Sequence, residues 1–252
     1  MPKNILVIGS GAREHALVKA IKKSPNLGKL FIFPGNAGIN KDAQKADIDS
    51  DGGNAAITEF CTENKIGLVV IGPEQPLVDA LVDDLNQADI KAFGPNKKAA
   101  QIEGSKDFMK SLAVKYGVPT AEYESFTNPE EAKKYIDKKG APIVVKTDGL
   151  AAGKGVTVAQ THEEAKLAVD EAFAGKFGDA GQKLVIEEFL EGEEASFFVI
   201  ADGKDFIEFG TAQDHKAAFE GDKGPNTGGM GCYSPAPIIT DEIRSKIIYH
   251  II

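Results

Sequence analysis

In the stretch "IVVKTDGLAAGKGVTVA", residues 143–159, two lysines flank a glycine-rich loop. Lys146 closes one apolar run, and Lys154 stands between Gly153 and Gly155, with Gly149 upstream. Ammonium groups beside backbone amides that glycine leaves accessible are a device for holding phosphates. This is not a Walker A loop, which needs four residues between its glycines and a Ser or Thr after the lysine. Here three residues separate Gly149 from Gly153, and Gly155 takes the place of the hydroxyl. The following "VTVA" is β-branched, so the pattern predicts strand–loop–strand rather than strand–loop–helix. A glycine hairpin with no helix behind it is expected to close over a nucleotide as a mobile lid.

Downstream, "KLVIEEFLEGEEASFFVIADG" sets five acids between two strand-like runs, Leu184–Ile186 and Ala195–Ala201. It reads in two ways. One is a solvated turn; the other presents the backbone of Glu187–Leu190 to an adenine edge and a carboxylate such as Glu194 to ribose hydroxyls. Further on, "GTAQDHKAAFEGDKGPNTGGMGCYSPAP" crowds glycines around Thr227 and Met230. Backbone without side chains can approach a small ligand closely and offer successive amides. Met230 and Tyr233 are not linker composition.

The elements that must position these residues begin with "NILVIGSGAREHALVKAIKKS", a strand over Ile5–Ile8, a glycine turn and an amphipathic helix. Three more apolar runs, "KLFIFPG", "IGLVVIGPE" and "IKAFGP", alternate with helical or loop stretches. That alternation predicts a doubly wound parallel sheet with ligand loops at its carboxyl edge. It is not a dinucleotide fold by its signature: Glu14 stands where the third glycine belongs, and no acid follows the second strand. Two readings of the Gly9–Gly11 turn stay open. The helix N-terminus and Arg13 could seat a sugar phosphate, or the turn is structural, with Arg13 and Glu14 on the surface.

The 252 residues suffice for about two domains. With 42% hydrophobic and 27% charged residues, the chain is of ordinary globular composition. A net charge of −9 argues against a nucleic-acid backbone or an anionic membrane as partner, while a local cationic cluster still permits a small anion. Cys61 and Cys232 lack metal or redox spacing, and the four histidines form no metal set. The apolar run at the start is too short for a signal peptide, which makes the cytoplasm the expected location.

Taken in order, "VIGSGAREHAL", "PGNAG", "GPEQPLVDAL", "FGPNKKAAQIEGSKDFMK", "GVPTAEY", "KTDGLAAGKGV", "VIEEFLEGEEASFF", "QDHK" and "GPNTGGMGCYSPAP" resemble the glycinamide ribonucleotide synthetase family, ATP-grasp ligases of purine biosynthesis. The resemblance runs through nearly the whole chain. It implies ligation of glycine to 5-phosphoribosylamine through a glycyl phosphate, with ATP and magnesium. By resemblance, Lys106 and Lys146 contact the ATP phosphates, and Gly149 through Gly155, with Gly153 and Lys154, form the lid. Glu187, Phe189 and Leu190 hold adenine, and Glu194 the ribose. Gly11, Arg13, Glu14, Asn36, Gly38 and Glu74 face phosphoribosylamine, while Asp214, Asn226, Thr227, Gly228 and Gly229 lie near glycine and its reactive carbonyl.

The implied architecture is α/β: a doubly wound pre-ATP-grasp domain over 1–103, a linking helix over 104–119, and an incomplete α+β ATP-grasp domain. Its lid-bearing lobe is expected over 120–190, and 191–252 begins the second lobe. The family's magnesium ligands lie beyond residue 252, so the resemblance implies a truncated chain, with a second chain as one source of the absent half. Two positions depart from the family pattern: Thr147 in place of alanine, and Ala217–Ala218 after Lys216 where a basic residue is common. Other ATP-grasp ligases, a catalytically incomplete nucleotide-binding module and, more distantly, a dehydrogenase are the competing readings.

Overall fold

The computed structural model describes residues 2–151, 155–221 and 223–252, without the side chain of Pro225. The chain divides into two compact units, Met1–Ser105 and Lys106–Ile252.

The first unit runs β1 (Lys3–Gly9), α1 (Ala12–Ile21), β2 (Leu27–Pro34), β3 (Gln44–Lys45), α2 (Gly53–Glu63), β4 (Ile66–Ile71), α3 (Gln75–Val78), α4 (Leu81–Gln87), β5 (Ala92–Phe93) and α5 (Lys97–Gly104). Its five strands are parallel in the order β3-β2-β1-β4-β5. β1 is central, and alternation sends its side chains into two cores. Leu6 and Ile8 pack with Ile57, Cys61, Leu81 and Leu85 of α2 and α4, whereas Val7 packs with Val18 of α1, Ile32 and Val70. This is the doubly wound sheet that the strand–helix alternation predicts. The run "IKAFGP" contributes only the two residues of β5, and the short β3 carries too little apolar sequence to be anticipated.

At the carboxyl edge, where β1 has β2 on one side and β4 on the other, the buried carboxylate of Glu14 fills space left by glycines. A Cβ at Gly72, just after β4, would stand 2.5 Å from Glu14 Cγ and closer still to Oε1. A Cβ at Gly9 meets the same Cγ at 2.5 Å.

The second unit opens with α6 (Lys106–Tyr116), followed by β6 (Tyr123–Phe126), α7 (Pro129–Lys139), β7 (Ile143–Thr147), β8 (Val156–Ala159), α8 (His162–Glu171) and β9 (Leu184–Glu188). The strands form an antiparallel sheet in the order β6-β9-β7-β8. α7 is delimited by its sequence. The Asn128 side chain accepts from the Glu130 and Glu131 amides, Pro129 opens the first turn, and Gly140 at φ +89° ends the helix. Ala132 and Ile136 of α7 and Ala165 and Val169 of α8 cover Ile143, Val145, Leu184 and Ile186 of the sheet. A second antiparallel sheet, β10 (Ser196–Ala201), β11 (Phe206–Phe219) and β12 (Lys223–Tyr233), precedes α9 (Asp241–His250). Among the described residues no helix is long and apolar enough to cross a membrane.

Two predictions concern the first unit. Gly72→Ala displaces the Glu14 carboxylate and should lower stability by about 1–3 kcal/mol, read as the urea midpoint; an unchanged midpoint would mean that Glu14 is not confined there. The carboxyl of Asp42 is held down from 3.8 to about 2 by a hydrogen bond from His15, then by one from Lys22, with the charge of Lys19 adding. Its folded-state value is depressed, so its stabilising contribution is whole above 3.8 and is lost as pH falls toward about 2. Asp42→Asn should flatten the fall in urea midpoint across that window.

Candidate functional site

The glycine-rich loop joins β7 to β8, which pair with Lys146 opposite Val156. Its base is fixed at several points. The Thr147 amide donates to Gly155 O at 2.8 Å, and the Asp148 amide to Lys183 O at 2.9 Å. From α6, Lys106 Nζ donates to Gly149 O at 2.9 Å, and the Asp107 amide to Asp148 Oδ1 at 3.1 Å. Lys106, Lys146, Gly149 and Gly155 are thereby assembled around one hairpin base. Gly153 and Lys154 lie outside the described residues.

The start of α6 is anchored by Asp107, whose carboxylate accepts from Lys183 Nζ at 2.5 Å and from the Ser125 hydroxyl. Those two hydrogen bonds, from Lys183 first, hold the Asp107 carboxyl below its ordinary value. Sequence reasoning missed this cluster, since its members come from α6, β6 and the residue before β9 and share no motif.

Glu187, near the end of β9, lies between β6 and β7, opposite Tyr123 and Val144. Its carboxylate is buried, with a side-chain exposure of 6%, and meets two ammonium groups. Lys110 Nζ stands 2.6 Å from Oε2, and Lys146 Nζ stands 2.5 Å from Oε1. Lys110 is 3% exposed and Lys146 28%. Phe189 and Leu190 follow the strand with exposed side chains. The adenine role expected of Glu187 is a backbone role, and its side chain does separate work. Lys110 was also missed; its only signal is a position one helical turn after Lys106.

Thr147 is buried, and its Oγ1 has no hydrogen-bond partner among the described residues. A Cβ at Gly155 would collide with that oxygen.

In the second sheet, β11 and β12 pair His215 with Gly231 and Ala217 with Asn226, so residues 227–230 bulge opposite Lys216. The Thr227 hydroxyl accepts from the Gly229 amide at 3.1 Å, and Gly229 adopts φ +116°. A Cβ there would come within 2.9 Å of Asp214 Oδ1. Asp214, Asn226, Thr227, Gly228 and Gly229 are thus neighbours, beside an open groove of about 330 Å³ lined in part by His215, Ala217 and Met230. Glu194 is ion-paired with Lys216 at 2.5 Å, and this hydrogen bond raises the lysine's pKa above its ordinary value.

In the first unit, the Gly11 amide at the start of α1 donates to Glu14 Oε2 at 2.7 Å. Arg13 lies between two acids, 3.1 Å from Glu14 Oε1 and 3.4 Å from Glu74 Oε1. Burial works against the arginine's charge, but Glu14 and Glu74 outweigh it and raise its pKa. Asn36 donates to Ser10 O at 2.6 Å and accepts from the Gly38 and Ile39 amides. Gly11, Arg13, Glu14 and Glu74 form one cluster, with Asn36 tying the Gly38 loop to its turn. The sugar phosphate considered for this turn meets an amide already given to Glu14 and a cluster of formal charge −1. Glu14 is also buried, not on the surface.

Among the described residues, no group of three or more His, Cys, Asp or Glu side chains comes together as a metal site. The described residues therefore offer magnesium no such cluster.

Two family descriptions match the chain: phosphoribosylglycinamide synthetase, N domain, over residues 3–103, and phosphoribosylglycinamide synthetase, ATP-grasp (A) domain, over residues 104–252. The chain is 55% identical over 249 residues to a phosphoribosylamine–glycine ligase of Mesorhizobium japonicum, covering 99% of this chain and 58% of that protein. It is 53% identical over 245 residues to a chloroplastic phosphoribosylamine–glycine ligase of Arabidopsis thaliana, covering 95% of this chain and 46% of the relative. Among solved structures, phosphoribosylamine–glycine ligase from Thermotoga maritima superposes with a TM-score of 0.78 at 32% identity, over 98% of this chain and 61% of that one. A biotin carboxylase–β,γ-ATP complex from Campylobacter jejuni, at 18% identity and a TM-score of 0.77 over 98% of this chain and 57% of that one, shows the shared fold. The chain thus spans about 58% of the length of its bacterial relatives.

The hairpin base offers a direct test. Thr147→Val keeps the shape and removes the buried, unpartnered hydroxyl, so it should add about 1 kcal/mol of stability, or about 2–4 °C in thermal midpoint. A lower midpoint would mean that the hydroxyl contributes to the fold.

Proposed function

Since the chain belongs to the phosphoribosylglycinamide synthetase family, we propose that it serves the ATP-dependent ligation of glycine to 5-phosphoribosylamine in purine biosynthesis, in the cytoplasm. One observation carries the nucleotide part of this reading: Lys106 and Lys146 converge on the base of a single glycine hairpin. Phosphoryl transfer asks a protein mainly for positioning and positive charge around the migrating group.

In this reading a glycine carboxylate oxygen attacks the γ-phosphorus of ATP, and ADP leaves. The phosphoribosylamine nitrogen then attacks the carbonyl carbon of the glycyl phosphate, phosphate leaves with the C–O bonding pair, and the nitrogen loses a proton. Lys106 and Lys146 hold the nucleotide phosphates. The lid of this reading is Gly149 through Gly155, of which 152–154 lie outside the described residues, and its role is to keep the acyl phosphate from water. The Glu187–Leu190 backbone meets adenine, and Glu194 the ribose once Lys216 yields it. Asp214 and Asn226 through Gly229 lie near glycine, the carboxylate suiting its ammonium and the backbone amides of Gly228 and Gly229 its carboxyl group.

The first unit takes phosphoribosylamine. Glu14, Arg13 and Glu74 there suit an amine and ribose hydroxyls better than a bare phosphate. Magnesium, when bound, would supply positive charge against the nucleotide phosphates, and among the described residues no cluster of three or more His, Cys, Asp or Glu side chains stands ready to hold it.

The test is ATP binding and ADP release by the 252-residue chain, with magnesium and phosphoribosylamine generated in the assay. ATP should bind, Lys146→Ala should weaken it about tenfold or more, and ADP release should respond to glycine and phosphoribosylamine but not to bicarbonate. Release driven by bicarbonate, or ATP affinity indifferent to Lys146→Ala, would overturn the reading. Turnover appearing only when the segment that the relatives carry beyond the matched region is added would assign that segment a share of the reaction.

A further inference from the structure

Lys110 has no part in the reaction just described, yet its ammonium group is almost completely buried. Nζ meets Glu187 Oε2 at 2.6 Å and donates to Ala121 O at 3.2 Å, and it lies 5.6 Å from the centroid of the Tyr123 ring. A charge in such surroundings is costly unless it is matched, and Glu187 matches it. The other oxygen of Glu187 holds Lys146, the more exposed of the two lysines.

If Glu187 and Lys146 stood alone, the pair would be electrically neutral, and the carboxylate would cancel the field that a phosphate should feel from Lys146. Lys110 changes that balance. With it the three groups sum to one positive charge, and of the two ammonium groups Lys146 is the one open to solvent.

We propose that Lys110 is a positioning residue for nucleotide phosphates: by neutralising Glu187 from within the fold, it leaves Lys146 oriented by the carboxylate yet with its positive charge uncancelled. Lys110 itself touches no ligand, and its effect passes through Glu187. The inference rests on the ATP reading above.

The test compares ATP with adenosine, which shares the base and ribose and lacks the phosphates. Affinities of both are measured for the 252-residue chain and its variants. Lys110→Met should weaken ATP about tenfold or more, the scale of one charge-assisted hydrogen bond, and leave adenosine within about twofold. Lys110→Arg, which keeps the charge, should retain the preference for ATP. The double variant Lys110→Met/Glu187→Gln removes both buried charges, frees Lys146 from cancellation and should recover most of the ATP affinity.

Equal loss of ATP and adenosine in Lys110→Met, or no recovery in the double variant, would overturn the proposal. If Lys110→Met does not fold, Glu187→Gln and the double variant carry the test. Because Lys110 acts through Glu187, the two should prefer ATP over adenosine to the same degree, and a tenfold difference would overturn it. A wild-type chain that fails to prefer ATP overturns the ATP reading itself, whereas a preference that Lys110→Met leaves intact overturns only the role of Lys110.

Discussion

A carboxylate inside a sheet has to be matched by positive charge, and around Glu187 that requirement organises the second unit. The residue occupies β9, flanked by β6 and β7. Leaving such a charge unpaired would cost several kcal/mol, so its partners must arrive with the fold. They come from different elements: Lys110 from α6 and Lys146 from β7. Meeting both ties the helix to the two central strands. Lys106, one turn before Lys110, is then delivered to the hairpin loop, where its ammonium binds Gly149 O. The Asp107–Lys183–Ser125 cluster secures the same helix start, so the position of Lys106 is determined from two sides.

The first unit uses a related device with the opposite sign. Glu14 is buried in space that Gly9 and Gly72 leave empty, and it orients the exposed Arg13, as Glu187 orients Lys146. The difference lies in the third member. Glu187 has a second cation behind it, whereas Arg13 has a second acid, Glu74, in front of it. One cluster therefore carries a net positive charge and suits phosphates. The other is net negative and suits amines and hydroxyls. Similar residue types set in motif-like surroundings give clusters of opposite net charge, and only the neighbours decide which.

Those neighbours mark the limit of what could be read from the sequence. The doubly wound sheet was legible because alternating apolar runs and helices leave few other topologies, and the hairpin at Lys146–Val156 because β-branched residues follow the loop. The carboxyl edge was read as the place where ligand loops gather, but the group that approaches Gly9 and Gly72 there is a side chain of the protein itself. Nothing local to Glu14 announces that. The bulge at residues 227–230 was visible only as glycine content, because register is a property of two strands and β11 had no signal fixing it against β12. Lys110 was hidden for a like reason: a lysine on an amphipathic helix reads as solvated until the strand beneath it is known to carry an acid.

Sharing one acid between two lysines also settles a conflict that a single ion pair would create. A lysine awaiting a phosphate benefits from being held, since ordering a long side chain costs up to about 2 kcal/mol when the ligand must do it. Holding it with a lone buried acid defeats the purpose, because moving toward the ligand would strand that acid without a partner. Glu187 escapes this, since Lys110 and the Ala121 carbonyl stay in place whichever way Lys146 points. Lys146 can exchange a carboxylate oxygen for a phosphate oxygen with the buried charge still matched. On the proposed phosphate role of Lys146, the inner lysine would let the outer one be ordered before a ligand arrives and available once it is bound.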